Sequence, residues 1–213
     1  MRAFAPLISV IALASGVSAA PATDIEGPYP GASVFIPEWE VETAPGGPVV
    51  TVSGTVQQAI AELEKINPNF KTDFNITDVA EADVPVPEVA GSLQKRTDFK
   101  GSKVICNNFG RAASYTAYLD GINYLRGVSG KPYAPAGPGA CGRVSCSDNT
   151  AIWWCNDDRA PKTLASFGSI ADGAAYLSSF CTGLPETWNG KYTIGGQVFH
   201  STNWNVIVRR NSC

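Results

Sequence analysis

Residues 97–213 of this 213-residue chain predict an α+β two-layer sandwich: an antiparallel sheet with two helices on one face, stapled by disulfides. Three observations carry the prediction. Apolar residues recur at helical spacing in two stretches, while five short runs carry strand-forming residues. The order reads strand, helix, two strands, helix, two strands, and two amphipathic helices find cover most simply on one face of a sheet. All six cysteines of the chain fall in this part. An even count in a small domain points to three disulfides.

In chain order, Lys103-Val104-Ile105-Cys106 forms the first strand. From Ala112, the residues Tyr115, Leu119, Ile122 and Leu125 repeat as one helical face that ends before Gly127. The Gly- and Pro-rich run 130–139 reads as a loop. Arg143–Cys146 and Ala151–Cys155 form a hairpin around Ser147-Asp148-Asn149. Trp153 and Trp154, adjacent on a strand, face opposite sides, so one of them is expected to be partly exposed. The second helix is expected to be capped by Ser169, with Asp172 completing an approximate capping box. Ile170, Ala174, Leu177 and Cys181 form its apolar face. Gly195–His200 and Trp204–Arg210 make a closing hairpin turned at Ser201-Thr202-Asn203. On the last strand Trp204, Val206 and Val208 share one face, and Asn205, Ile207 and Arg209 the other. Cys181 is placed to staple helix to sheet, and Cys213 to tie down the end of the last strand. Sequence leaves the pairing of Cys106, Cys141, Cys146, Cys155, Cys181 and Cys213 open among fifteen connectivities.

Residues 1–19 have the pattern of a secretory signal peptide: Arg2, an apolar core from Leu7 to Leu13, and Val17-Ser18-Ala19 before a cleavage point after Ala19. That core is too short to span a bilayer, which takes about 20 residues, so a secreted, extracellular protein is expected. Residues 20–96 contain no cysteine and set four Lys/Arg against twelve Asp/Glu, a net −8. Residues 97–213 set eleven against seven, a net +4. Lys95-Arg96 stands at this boundary, after Gly91-Ser92-Leu93-Gln94, and reads as a processing site. Residues 20–96 are therefore expected to be an acidic propeptide with partial structure, and residues 97–213 the mature six-cysteine domain. In the propeptide, Val34-Phe35-Ile36 and Val49-Val50-Thr51-Val52 are short strands separated by Pro45-Gly46-Gly47. Val56, Ile60, Leu63 and Ile66 form a helical face ending at Asn67-Pro68. Asn75-Ile76-Thr77 is the one N-glycosylation sequon, so a glycan at Asn75 would sit on this segment. The acidity of the segment suits pairing with the basic domain during folding; a passive spacer is the alternative.

Catalytic signatures are sparse. His200 is the one histidine and is followed by Ser201, whose side chain points to the other face of a strand. Glu186 is the one glutamate after Arg96. Asp157-Asp158 reads as a solvated turn pair at a strand exit. The spacing of Cys141, Cys146 and Cys155 matches no common zinc pattern, and no phosphate-binding glycine loop precedes a helix. No metal and no cofactor are expected. Arg159 with Lys162, and Arg209 with Arg210, are the candidate basic binding surface. A net +4 favours anionic surfaces without specifying one.

A signal, an acidic proregion ending in Lys-Arg and a small six-cysteine domain resemble fungal secreted cysteine-rich effectors processed by a kexin-type protease. The order from Val104-Ile105-Cys106, through the helix from Ile170 to Cys181, to Gly196-Gln197-Val198 and the terminal Cys213 is similar to smut-fungus killer toxins and necrosis-inducing extracellular effectors. The resemblance covers residues 102–213 and is topological. Those killer toxins carry more cysteines, so their pairing and active residues do not transfer. The resemblance implies a non-enzymatic toxin or effector, a monomer that binds a host or competitor cell-surface target, with a kexin-type protease for maturation and no nucleic acid partner. Two alternatives stand beside it. One is a small secreted hydrolase, such as a ribonuclease using Glu186, His200 and an arginine; the other is a wall-associated antimicrobial or structural protein.

Overall fold

The computed structural model describes residues 25–78, 97–111, 114–181 and 193–213. The expected signal with its cleavage point after Ala19, the Lys95-Arg96 pair, Ala112, Glu186, Trp188 and Lys191 lie outside the described residues.

The chain is a mixed α+β structure built on one large, mainly antiparallel sheet. Its first strand, β1 (Ser33–Phe35), is followed by a hairpin of β2 (Glu38–Glu42) and β3 (Val49–Ser53). The expected strand at Val34 and the one at Val49 are both present. β2 was not expected from sequence: its three glutamates lower strand propensity, yet they alternate with Trp39 and Val41, which are fully buried. Helix α1 (Val56–Ile66) starts from a capping box, in which the Thr55 hydroxyl accepts from the Gln58 N–H and the Gln58 side chain accepts from the Thr55 N–H. It buries Val56, Ala59, Ile60 and Leu63 and ends at Asn67, whereas Ile66, at its last turn, is exposed. A single turn, α2 (Phe70–Asp73), buries Phe70.

After residue 96, β4 (Lys103–Cys106) and α3 (Tyr115–Gly127) follow in the expected order, although α3 runs through Gly127, before which it was expected to end. The Ser114 hydroxyl caps α3 by accepting from the Ala117 N–H. The 130–139 run carries a short strand, β5 (Tyr133–Ala134), which pairs with β8 (Lys162–Thr163). Between them β6 (Ala140–Ser147) and β7 (Thr150–Asn156) form the long hairpin, turned at Asp148 and Asn149 with φ of 43° and 54°. Those are the left-handed angles of a two-residue hairpin turn, which Asp and Asn tolerate. Helix α4 (Gly168–Cys181) begins one residue before Ser169, so Ser169 lies in its first turn and is not its cap. Asp172 serves elsewhere: it accepts from Arg126 of α3 at 3.1 Å and from the backbone N–H of Thr97 at 2.8 Å. β9 (Gly196–His200) and β10 (Trp204–Arg210) close the chain as the expected hairpin.

The six-stranded order is β1-β6-β7-β10-β9-β4. Four pairings are antiparallel, and β1 departs from the expected pattern by adding to β6 in parallel, Ser33 opposite Ala140 and Phe35 opposite Gly142. Side chains on one sheet face, including Ile152, Trp154, Val198, Val206 and Val208, join α1, α3 and α4 in the main core. The other face carries Cys141, Cys146, Ala151, Trp153, Cys155 and Ile207, covered by Ile25, Tyr29, Ala32, Val34 and Phe109. That cover corrects the expectation for the tryptophans. Trp153 and Trp154 do face opposite sides, but both are buried, because the chain before β1 lies over the second face.

The six cysteines make three disulfides, Cys106–Cys181, Cys141–Cys155 and Cys146–Cys213. The first staples β4 to α4, the second crosses directly opposite positions of β6 and β7, and the third ties the tail after β10 to β6. Among the described residues no helix is long and apolar enough to cross a membrane.

Candidate functional site

An arginine-lined cleft of about 690 Å³ lies at the end of the sheet where β10 finishes. Its shape begins with one extra residue in β6. The pairing register shifts between Arg143 and Ser145, so Val144 turns into the main core while Arg143 and Cys146 share the opposite face. Without that bulge, residues three apart would point to opposite sides. Arg143 sits opposite Trp153, its guanidinium carbon 5.9 Å from the indole ring. Its Nη1 donates to the Ser212 carbonyl at 2.7 Å, while its Nε is buried without a partner. Burial lowers the pKa of this guanidinium from its ordinary value. An arginine remains charged at neutral pH despite such a shift.

Arg209 comes from β10 on the same face. Its Nη1 donates to the Pro28 carbonyl and its Nε to the Arg210 carbonyl. The Cys146–Cys213 disulfide folds the tail across the cleft mouth, where the Asn211 N–H donates to the Asn149 carbonyl at 3.1 Å. Asn211 also accepts from the Trp153 indole at 3.2 Å. Arg210, Ile25 and Glu26 complete the lining. Arg143, Arg209 and Arg210 all line this opening, and the planar fork of arginine suits a carboxylate, phosphate or sulfate, whose oxygens it binds two at a time.

The two basic pairs expected to form one surface lie apart. Arg210 pairs with Thr150 and Trp204 with Asn156, so the Asp157-Asp158 turn and the Arg159–Lys162 segment begin at the far end of these strands. Six steps of about 3.3 Å along β10 separate the two ends by about 20 Å. Arg159 is exposed, and Lys162 is paired with Asp158 at 3.3 Å. Arg209 and Arg210 therefore find their companion in Arg143. Sequence reasoning missed that group because strict alternation, without the bulge, puts Arg143 and Cys146 on opposite faces.

His200 lies at the far end too, opposite Trp204. Its ring stacks on Trp204 at 4.7 Å and meets the edge of Phe99 at 5.1 Å. Nδ1 accepts from the Thr202 N–H, so the proton of the neutral ring resides on Nε2. Burial first, and the nearby Lys162 second, lower its pKa from 6.5. The arginines of the cleft do not converge with it. Asp157 is not a free turn carboxylate: it ends a ladder in which Asn108 donates to Gln197, Gln197 to Asn205, and Asn205 to Asp157 at 2.7 Å. Gln197 and Asn205 are buried, and each is satisfied by the next. Asn75 is exposed at φ 54°, just after α2, and so is Thr77. Among the described residues no group of three or more His, Cys, Asp or Glu is arranged to hold a metal ion.

In comparisons with known proteins, no family model, no curated protein and no solved structure matches the chain.

Proposed function

We propose that this is a secreted cysteine-rich toxin or effector that acts by binding, and that its cleft takes an anionic group displayed by a host or competitor cell surface. On this reading the fold is a two-layer sandwich with its helices on one face, and the Cys141–Cys155 and Cys146–Cys213 disulfides hold the opposite face rigid. The observation that carries the reading is the convergence of Arg143, Arg209 and Arg210 on one cleft, fixed by the Cys146–Cys213 bridge. A preorganised cluster loses little conformational freedom on binding. The exported, kexin-processed character expected from sequence supplies the context, and the exposed Asn75 is available for the glycan that its sequon invites.

The test is cell-surface binding of the secreted protein as salt is raised. Binding of the unaltered protein should weaken with ionic strength, because exposed charge contacts are screened beyond a Debye length of about 8 Å at physiological salt. Arg209→Glu with Arg210→Glu should weaken binding tenfold or more at low salt and flatten its salt dependence. Reversal of Arg159, about 20 Å away, should change it little. Equal losses at the two ends would overturn the assignment to the cleft. Loss of activity in His200→Ala, in protein that still folds and binds normally, would favour the hydrolase alternative.

A further inference from the structure

We propose that cutting the chain after Arg96 leaves a two-chain protein: residues 25–78 stay seated without a covalent link, and Asp172 holds the new amino group of Thr97. The inference rests on reading Lys95-Arg96 as a processing site. Hydrolysis of the Arg96–Thr97 bond consumes one water and leaves a carboxylate on Arg96 and an ammonium on Thr97. No disulfide crosses the cut, since every cysteine lies after it.

The domain after the cut is shaped to receive the segment before it. A side chain at Gly142 would meet the Phe35 ring at 2.6 Å, one at Gly127 would meet Ile76 at 2.3 Å, and one at Gly130 the Glu40 carbonyl at 2.6 Å. In return Trp39 stacks on Phe167 with ring centroids 3.9 Å apart. The Gln57 amide acts as a substitute strand where β1 has ended: its oxygen accepts from the Cys146 N–H at 3.0 Å and its nitrogen donates to the Ser145 hydroxyl at 2.8 Å. Removing the segment would strand that backbone N–H and uncover the core face of the sheet. Among the described residues, the ion pairs Glu62–Lys65 and Lys71–Asp78 lie inside the segment, and Arg126–Asp172 and Asp158–Lys162 inside the domain.

The far side of the cut is also prepared. Thr97 already donates its N–H to Asp172 Oδ2 at 2.8 Å, and Phe99, two residues on, is buried in the main core. The Asp172 side chain is 12 % exposed and pairs with Arg126. Cleavage converts a neutral amide donor into a cation at this largely shielded carboxylate, which makes a charge-assisted bond of greater strength.

The experiment uses the full chain secreted from a host without kexin-type protease. The chain is then cut with that protease, and the cut is verified by mass and by Thr97 as the new N-terminus. Size exclusion and native mass spectrometry should show one 1:1 assembly, which a denaturing gel without reductant splits in two. A verified cut whose N-terminal piece elutes alone, leaving an oxidised 97–213 monomer, overturns the proposal. A second chain carries a site for a sequence-specific viral protease in place of residues 91–96. If only this chain can be cut and its pieces stay together, the processing reading falls and the association stands. After cutting, Trp39→Ala should weaken the assembly about 100-fold or more, and Gln57→Ala about tenfold. Asp172→Asn should abolish the rise in melting temperature that cutting at Arg96 gives the unaltered protein; no rise in the unaltered protein would refute the Asp172 part.

Discussion

His200 carries the one imidazole of the chain, and its packing sets its charge. Burial against Trp204 and Phe99, with Lys162 nearby, holds its pKa below 6.5, while Asp98 acts in the opposite direction. Unfolded, the ring takes up a proton near 6.5; folded, it resists until lower pH. Between those values the unfolded chain binds more protons, so stability rises with pH across the window. The contribution is intact above about 6.5 and is lost as acid carries the pH down through the window. Urea midpoints at pH 7.5 and pH 5 should therefore differ, and His200→Gln should reduce the difference. An unchanged drop in the variant would place the pH sensitivity elsewhere. Asp78, held below its ordinary 3.8 chiefly by the Tyr124 hydroxyl, titrates under this window and does not confound it. Residue roles were the least legible part of the sequence. Arg209 and Arg210 were recognisable as a basic pair, but Arg143 joins them only through the bulge at Val144. Asp172 looked like a cap because its spacing from Ser169 fits one, and three-dimensional contact with Arg126 and Thr97 overrode that local pattern.

At the scale of elements, periodicity was a good guide wherever one face of a helix or strand is buried and the other is not. It located α1, α3, β4 and the β6–β7 and β9–β10 hairpins, and the turn chemistry of Asp148-Asn149 marked the first of these directly. β1 escaped in part because nothing local tells a three-residue strand that its partner is β6, more than 100 residues away. The disulfides give this scale its prediction. Cys106–Cys181 closes a separation of 75 residues and Cys141–Cys155 one of 14. If the bridges act by restricting the unfolded chain, losing the first should cost about 1.5 kcal/mol more than losing the second. Comparing Cys106→Ala/Cys181→Ala with Cys141→Ala/Cys155→Ala in chemical denaturation measures that difference. A greater loss from the shorter loop would show that the native packing of Cys141 and Cys155, both fully buried, outweighs chain entropy.

At the scale of the whole molecule, composition misleads about the acidic segment. A net −8 and many prolines suggest a chain with little core of its own. Residues 25–78 nevertheless supply Trp39, Val41, Val56, Ala59, Ile60, Leu63, Phe70 and Ile76 to the main core. The charge does not prevent this because Glu38, Glu40, Glu62 and Glu64 line the outer sides of β2 and α1, leaving their inner sides apolar. The segment has no sizeable core alone, and residues 97–213 without it would expose Phe167 and Trp154, which Trp39 and Phe35 now cover. In the intact chain, Trp39→Ala should thus lower stability by about 3–5 kcal/mol, as for other buried aromatic residues. Folded domains are stable by about 5–15 kcal/mol in total, so the same loss multiplied over the whole segment exceeds what the remainder can bear. Residues 97–213 secreted without residues 20–96 should therefore bind a hydrophobic dye and form mixed disulfide isomers, as peptide mapping without reductant would show. Supplying residues 20–96 as a separate chain during refolding should restore the Cys106–Cys181, Cys141–Cys155 and Cys146–Cys213 set. If residues 97–213 reach that set alone, with a cooperative melt and no dye binding, the acidic segment is an addition to a self-sufficient domain and not part of its core.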